Sequence, residues 1–222
     1  MGYTTRSTWL TGLLLAIPLP GLADGPHVMP VRHPRLVAAA ERAGLHPAVL
    51  RLGLEALARA ARIGWTTVPL LTVIDYSRPS RERRLWVLDL ARDSVLAREL
   101  VAHGRGTGAD VARWFSNRPG SLRSSLGTFI TGRTYMGRHG LALRLRGMDA
   151  GLNDLAEARA IVVHGADYVG EGVVRRLGRL GRSQGCPALE RAAARRVIEL
   201  IRNGTVVFAY YPASDLLRRV AS

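Results

Sequence analysis

The side chains best suited to covalent chemistry in this sequence are one cysteine, Cys186, and six histidines. Cys186 lies in the polar, glycine-hinged segment 181–189, just before a stretch of helix-forming residues. A lone thiol has no disulfide partner within the chain, and a small buried hydrophobe is one explanation for it. Buried packing positions seldom fall in such loops. The surroundings therefore favour the alternative, a reactive thiol.

A reactive thiol must lose its proton, and a nearby imidazole is a common acceptor. His164 is the best placed histidine, because it follows the apolar run 160–163 and precedes Gly165. His103 and His139 also precede glycines and are further candidates for lining a cleft. Local spacing alone leaves two interpretations of His164, a catalytic base or a surface histidine at the end of a strand.

The elements that must position these residues form a mainly β, α+β pattern. Residues 33–63 have apolar residues at helical spacing with a break near Gly44 and Pro47, which predicts two short helices. Residues 190–201 predict an amphipathic helix that ends at 203–204. Strands are predicted at 71–76, 85–90, 95–103, 127–131, 141–146, 160–164 and 205–211, the first two as a hairpin.

Residues 1–23 have the layout of a secretory signal peptide. Arg6 precedes an apolar run at 9–17, and small residues give a cleavage spacing near Ala23. An uncleaved short anchor is the alternative, although a membrane helix needs roughly 20 apolar residues. We therefore expect an exported, periplasmic or envelope protein. Its predicted parts are the signal peptide at 1–23, a helical region at 24–66 and one main domain at 67–222.

The net charge is +15, and all 32 basic residues are arginine. A lysine-free chain indicates compositional bias with a solvated charged surface, and the alternative is attraction to an anionic envelope surface. Nucleic acid is not expected as a partner, because the chain is predicted to be exported and has no nucleic-acid motif. The scattered histidines lack metal-ligand spacing and no phosphate-binding glycine loop is present, so we expect neither metal nor cofactor.

An ordered series of motifs resembles the murein L,D-transpeptidase catalytic domain, a family of the YkuD type. His164, Gly165 and Ala166, followed downstream by the segment 183–186, are similar to that family's histidine and Ser/Thr-His-Gly-Cys signature. The similarity runs from about residue 71 to about residue 211. Its other blocks, in the same order as in the family, are 101–108, 115–117, 124–127, 135–140 and 178–188.

The resemblance implies a β-sandwich-like catalytic domain with a helix after the cysteine loop. Cys186 would attack the carbonyl of the L-centre of diaminopimelate in a donor stem tetrapeptide, expel D-alanine and form a thioester. His164 would be the base, its tautomer set by a carbonyl near Gly165. Backbone N–H groups around Gly185 and Cys186 would form the oxyanion hole. An amine acceptor in peptidoglycan would then complete a cross-link.

Two positions depart from the family pattern. Gln184 stands where a histidine is usual and Ala188 where an asparagine is usual, which affects substrate positioning and not the nucleophile or base. The segment 167–180 is expected to be an enlarged loop. Arg182 is the candidate for binding a substrate carboxylate, since arginine's planar fork suits that group. Ser183 is expected either to bond the substrate or to shape the turn.

Other functions fit the same residues. Water in place of the acceptor amine would make the protein an L,D-carboxypeptidase or an endopeptidase. A third hypothesis is a non-catalytic wall-binding protein that is held to peptidoglycan by its positive charge, with Cys186 structural.

Overall fold

The computed structural model describes residues 1–2 and 33–212. The predicted signal peptide lies outside the described residues except for Met1 and Gly2, and it stays a prediction, as does the boundary between residues 66 and 67. Within residues 33–212, every helix is too short or too polar to cross a membrane.

Two helices open the described part, α1 (Pro34–Arg42) and α2 (Pro47–Arg62). Each begins with a proline, whose missing N–H costs nothing in a first helical turn. His46 caps α2 by accepting a hydrogen bond from the Ala48 N–H at 3.2 Å. Gly44, with a φ of 78°, lets the chain turn between them. The two predicted helices and their break are confirmed.

The remaining elements are strands and two further helices. In chain order they are β1 (Leu70–Asp75), β2 (Arg83–Asp89), β3 (Ser94–Leu100), β4 (Gly127–Gly137), β5 (Gly140–Gly147), β6 (Val162–Gly165), α3 (Glu171–Leu177), β7 (Ala188–Leu189), α4 (Arg191–Ile201) and β8 (Val206–Tyr210). Within residues 33–212, the strands form one mixed sheet in the order β3-β2-β1-β8-β4-β5-β6-β7. Its pairs are antiparallel except β1 with β8 and β6 with β7. The mainly β, α+β prediction is confirmed.

All seven predicted strands are present, with shifted ends. β4 continues to Gly137, beyond the predicted end at 131. β6 begins at Val162 and not at 160, because Ala160 adopts a left-handed φ of 53° that breaks the extended backbone. The two-residue strand β7 was not predicted, since it is too short to show an alternating pattern.

The expectation of an enlarged loop at 167–180 is wrong in its centre, where α3 forms. Gly178 ends this helix in a left-handed conformation, and its N–H bonds to the Val174 carbonyl at 2.8 Å. The segment is thus ordered as a short helix followed by the approach to the cysteine.

The N-terminal helices share the core of the sheet. Helix α1 packs on β3, and α2 packs on β1 and β8. Leu50 and Leu57 of α2 lie in the same buried cluster as Phe208 of β8. Burial of a side chain of this size contributes about 1.5–3 kcal/mol each. In addition, Arg59 of α2 bonds to the Asp149 carboxylate at 2.5 Å, which ties the helix to the turn after β5.

The parallel pairing of β6 with β7 positions the candidate site. His164 of β6 is in register with Ala188 of β7. Because Cys186 comes two residues before Ala188, this pairing brings the cysteine loop alongside the histidine strand. Helix α4, which follows β7 in the chain, packs against β6.

Candidate active site

His164 and Cys186 line one cleft with a volume of about 640 Å³. The turn between β4 and β5 contributes His139 to its wall, and the cysteine loop contributes Arg182, Ser183 and Gln184. The structure therefore brings the two residues singled out from the sequence to the same cavity.

The Cys186 thiol is held at the start of β6. Its sulfur donates a weak hydrogen bond to the Ala160 carbonyl at 3.7 Å, and the residue is half-buried. Burial raises the pKa of the thiol, and a hydrogen bond from the Val162 backbone and the charge of Arg159 oppose that rise only in part. The resting group is thus a protonated thiol.

His164 is buried, with 5% of its surface exposed, and its Nδ1 lies 3.0 Å from the Gly165 carbonyl oxygen. A nitrogen that bonds to a carbonyl must carry the proton, so Nε2 is the basic nitrogen of the neutral ring. Burial lowers the pKa of His164, and the charges of His139, Arg138 and Arg191 lower it further, against the effect of the Gly165 carbonyl. The ring is therefore neutral and ready to accept a proton at Nε2.

Ser183 shapes the cysteine loop. Its hydroxyl donates to the Cys186 carbonyl at 2.6 Å and accepts from the Gly185 N–H at 3.1 Å. The Gly185 N–H therefore already has an acceptor, and the predicted oxyanion hole stays a prediction. Within residues 33–212, the Cys186 N–H has no hydrogen-bond acceptor, and neither has the Gln184 N–H.

The cleft is strongly basic. Four arginines line it and, among the described residues, no aspartate or glutamate does: the arginines are Arg105, Arg138, Arg159 and Arg182. The Arg182 guanidinium donates to the Gly108 carbonyl at 3.2 Å while remaining exposed. A cleft of this charge attracts anionic groups.

Sequence reasoning missed Arg159 and left His139 as one of two alternatives. Arg159 donates to the Ser116 and Arg123 carbonyls, both at 2.6 Å, and its charge acts on the Cys186 sulfur. No local pattern distinguishes this arginine from the many others.

His103, the other alternative, lies outside the cleft. It is fully buried, and its Nδ1 faces the guanidinium of Arg84 at 2.8 Å, while Nε2 lies 3.1 Å from the Ala109 carbonyl. Of the two glycine-preceding histidines, only His139 lines the cavity.

The two departures from the family pattern lie in different places. Gln184 is exposed and lines the cleft. Ala188 is completely buried in β7, where it forms a bridge to Ala102 as well as its pairing with His164. Ala188 therefore packs within the sheet and does not line the cleft.

A second hollow, of about 740 Å³, lies at the turn between α1 and α2. It is lined by both acidic and basic side chains, including Glu41, Asp75 and Arg78. The chain's one cysteine lies in the other cleft. The described residues contain no cluster of three or more potential metal ligands.

A thiol and a neutral imidazole in an arginine-lined cleft, beside the β6–β7 pair of a mixed sheet, define a protein with a cysteine–histidine site. The sequence profile of the L,D-transpeptidase catalytic domain family matches residues 41–210, and the chain belongs to that family. The resemblance seen in the motifs is confirmed. No curated protein matches the chain.

Solved structures of L,D-transpeptidases show a weaker similarity. One from Mycobacterium smegmatis has 15% identity and a TM-score of 0.40, over 64% of this chain and 59% of that one. An L,D-transpeptidase in complex with imipenem has 15% identity and a TM-score of 0.41, with the same coverage of 64% and 59%. One from Xylanimonas cellulosilytica has 17% identity and a TM-score of 0.38, over 79% and 78%. The chain thus spans less than two thirds of the first two.

Proposed function

We propose that this chain is an exported L,D-transpeptidase that acts on peptidoglycan stem peptides, with Cys186 as nucleophile and His164 as base. The observation that carries the proposal is the presence of both side chains in one cleft. Membership of the L,D-transpeptidase catalytic domain family supports it.

The first half-reaction forms a thioester. The Cys186 sulfur attacks the carbonyl of the L-centre of the third stem residue, and its proton passes to His164 Nε2. The oxyanion that develops on that carbonyl is stabilised by the Cys186 N–H, a kind of contact worth roughly 100 to 1,000-fold in rate. The amide C–N bond then breaks, and the D-alanine amine leaves with the proton from His164.

The second half-reaction resolves the thioester. An acceptor amine gives a proton to His164 Nε2 and attacks the thioester carbonyl, so that a C–N bond forms and the C–S bond breaks. The sulfur recovers its proton from His164. Because both resting groups are neutral, proton transfer accompanies attack, and no preformed thiolate–imidazolium pair is required.

The basic walls of the cleft fit the charge of the donor. A stem tetrapeptide carries several carboxylates, and arginine binds this group with two parallel hydrogen bonds. Arg182 remains our candidate for one such contact, since it is exposed at the cleft beside the cysteine loop. Gln184, also exposed there, is our candidate for a polar contact to the peptide.

The test is to incubate the purified protein with a disaccharide tetrapeptide and to follow the products by mass spectrometry. A cross-linked dimer is expected from the wild type, together with a covalent adduct on the protein, and neither from Cys186→Ala. Tripeptide without dimer would indicate a hydrolase and contradict the transferase. A wild type that forms no adduct and no product, as expected of a wall-binding protein, contradicts catalysis altogether.

The role of His164 has a separate test. His164→Gln is expected to slow adduct formation about 100-fold or more, as general-base catalysis typically contributes 10² to 10⁴. His33→Gln, at a histidine outside the cleft that bonds Asp93, is the matched control and should react like the wild type. Equal rates in the two variants would show that His164 is not the base.

A further inference from the structure

A buried serine lies directly beneath the cysteine loop. Ser124 is 1% exposed, and its hydroxyl donates to the Gly185 carbonyl at 3.0 Å. The same oxygen accepts the Gly104 N–H at 3.0 Å, which fixes the hydroxyl from the opposite side. The Tyr76 hydroxyl also bonds the Ser124 side chain. Since a carbonyl is only an acceptor, Ser124 gives its single proton to Gly185, and Tyr76 is the donor in its own contact with Ser124.

The peptide unit between Gly185 and Cys186 links this contact to the direction of the Cys186 N–H. The described residues contain no cis peptide bond, so the Gly185 C=O and the Cys186 N–H point in opposite directions across one planar unit. A carbonyl held inward by Ser124 therefore turns the Cys186 N–H away from the interior. Among residues 33–212, this N–H has no hydrogen-bond acceptor.

The surroundings leave Ser124 little freedom to move. Its own N–H donates to the Thr107 hydroxyl at 2.8 Å, and Thr107 is completely buried. Gly104 packs so closely that an added Cβ would lie 2.9 Å from the Gly185 Cα. The serine is thus built into a rigid platform under Gly185.

We propose that Ser124 is a positioning residue for acyl transfer, which aims the Cys186 N–H at the developing oxyanion by holding the Gly185 carbonyl. The inference rests on the proposed function. It adds a residue that touches neither the substrate nor the reacting atoms and acts only through the peptide unit it anchors.

Two reactions at the same sulfur separate this role from a structural one. In acylation by imipenem, the sulfur attacks the β-lactam carbonyl, an oxyanion forms, the C–N bond opens and the ring nitrogen takes the proton. In alkylation by iodoacetamide, the sulfur displaces iodide from a CH₂ carbon and no oxyanion forms. Both reactions need an accessible sulfur and only acylation forms an oxyanion, so the ratio of the two rate constants reports oxyanion stabilisation independently of thiol exposure.

Ser124→Ala is expected to lower the acylation-to-alkylation ratio by about tenfold to 100-fold, with alkylation changed by less than about twofold. Ser80→Ala is the matched control, because Ser80 is equally buried and also bonds a backbone N–H, that of Leu180 at 3.2 Å, outside the cleft. Its ratio should equal that of the wild type. Ser124→Thr keeps the hydroxyl and is expected to restore most of the ratio.

An unchanged ratio in Ser124→Ala, or an equal fall of both rates, would overturn the inference while leaving the proposed function intact. If Ser124→Ala does not fold, Ser124→Thr decides, since a folded threonine variant that alkylates normally but has lost acylation also contradicts it. A wild type that alkylates but is not acylated by imipenem contradicts both the proposed function and the inference. The inference is supported if Ser124→Ala loses acylation but keeps alkylation, while Ser80→Ala and Ser124→Thr keep both reactions.

Discussion

The imidazole of His139 stacks on the imidazole of His164, with ring centroids 4.9 Å apart and planes inclined by 30°. A charge on His139 opposes a second charge on His164, and the guanidinium groups of Arg138 and Arg191 act in the same direction. Together with burial, these groups lower the pKa of His164. The ring therefore stays neutral at pH values at which an ordinary histidine takes up a proton.

Replacing His139 should raise the pKa of His164. His139→Phe keeps an aromatic ring for stacking but removes the charge, so protonation of His164 becomes easier. The acid limb of the pH profile for acylation by imipenem should move to higher pH, with the plateau rate unchanged. Arg138→Gln removes a charge that contributes less and should give a smaller shift in the same direction. A limb that stays in place or moves to lower pH would contradict this account.

Arg159 is expected to lower the pKa of the Cys186 thiol. Its charge holds the pKa of Cys186 below the value that burial alone would give. Arg159→Gln should therefore raise the thiol pKa and slow iodoacetamide alkylation at neutral pH, by about tenfold for each unit of the rise. The measurement is the alkylation rate as a function of pH.

Arg159→Lys separates charge from structure in that experiment. Both variants lose the paired contacts to the Ser116 and Arg123 carbonyls and should be destabilised by about 1–3 kcal/mol. Only the glutamine variant loses the charge, so the lysine variant should keep a titration midpoint close to the wild-type value. Equal midpoints in the two variants would exclude an electrostatic role.

Gly185 is expected to tolerate no side chain. Its φ of 128° is unfavourable for other residues, and an added Cβ would lie 2.8 Å from the Arg123 carbonyl oxygen. Gly185→Ala should displace the cysteine loop and reduce acylation at least about 100-fold. Gly178→Ala is the control for backbone conformation, because Gly178 also has a positive φ, of 68°, but an added Cβ there meets no atom within 4 Å. Similar activity in the two variants would show that the close approach does not matter.

The sequence was sufficient for the features that depend on neighbouring residues. Helices α1, α2 and α4 follow from apolar periodicity and their glycine or proline ends, and the His164 and Cys186 motifs follow from short local patterns. Arg159 could not be found in this way, since its partners lie 36 and 43 residues away. The burial of Ala188 could not be predicted either, because it depends on the pairing of β6 with β7. A strand of two residues is too short to show an alternating pattern in the sequence.

The burial of His103 could not be predicted from the sequence either, because His103 and His139 both precede a glycine and look alike locally. Burial and the nearby charge of Arg84 lower the pKa of His103 to about 4, against the hydrogen bonds to the Gly108 and Ala109 carbonyls. The unfolded chain binds a proton near pH 6.5 and the folded chain only near pH 4. The stability that the neutral ring contributes is therefore fully present above about pH 6.5 and is lost as the pH falls towards 4.

His103→Gln should flatten this dependence. Over that range the wild type is expected to lose about 3 kcal/mol of unfolding free energy through this one group, and the variant should lack that loss. The contribution of His164, whose pKa is also lowered, stays in both proteins and cancels in the difference. His46→Gln, at an exposed helix cap, is the control. Urea unfolding at intervals between pH 4 and pH 7 measures the slopes. Parallel curves for His103→Gln and the wild type would mean that His103 takes up its proton without unfolding the protein, and that Arg84 does not keep the ring neutral.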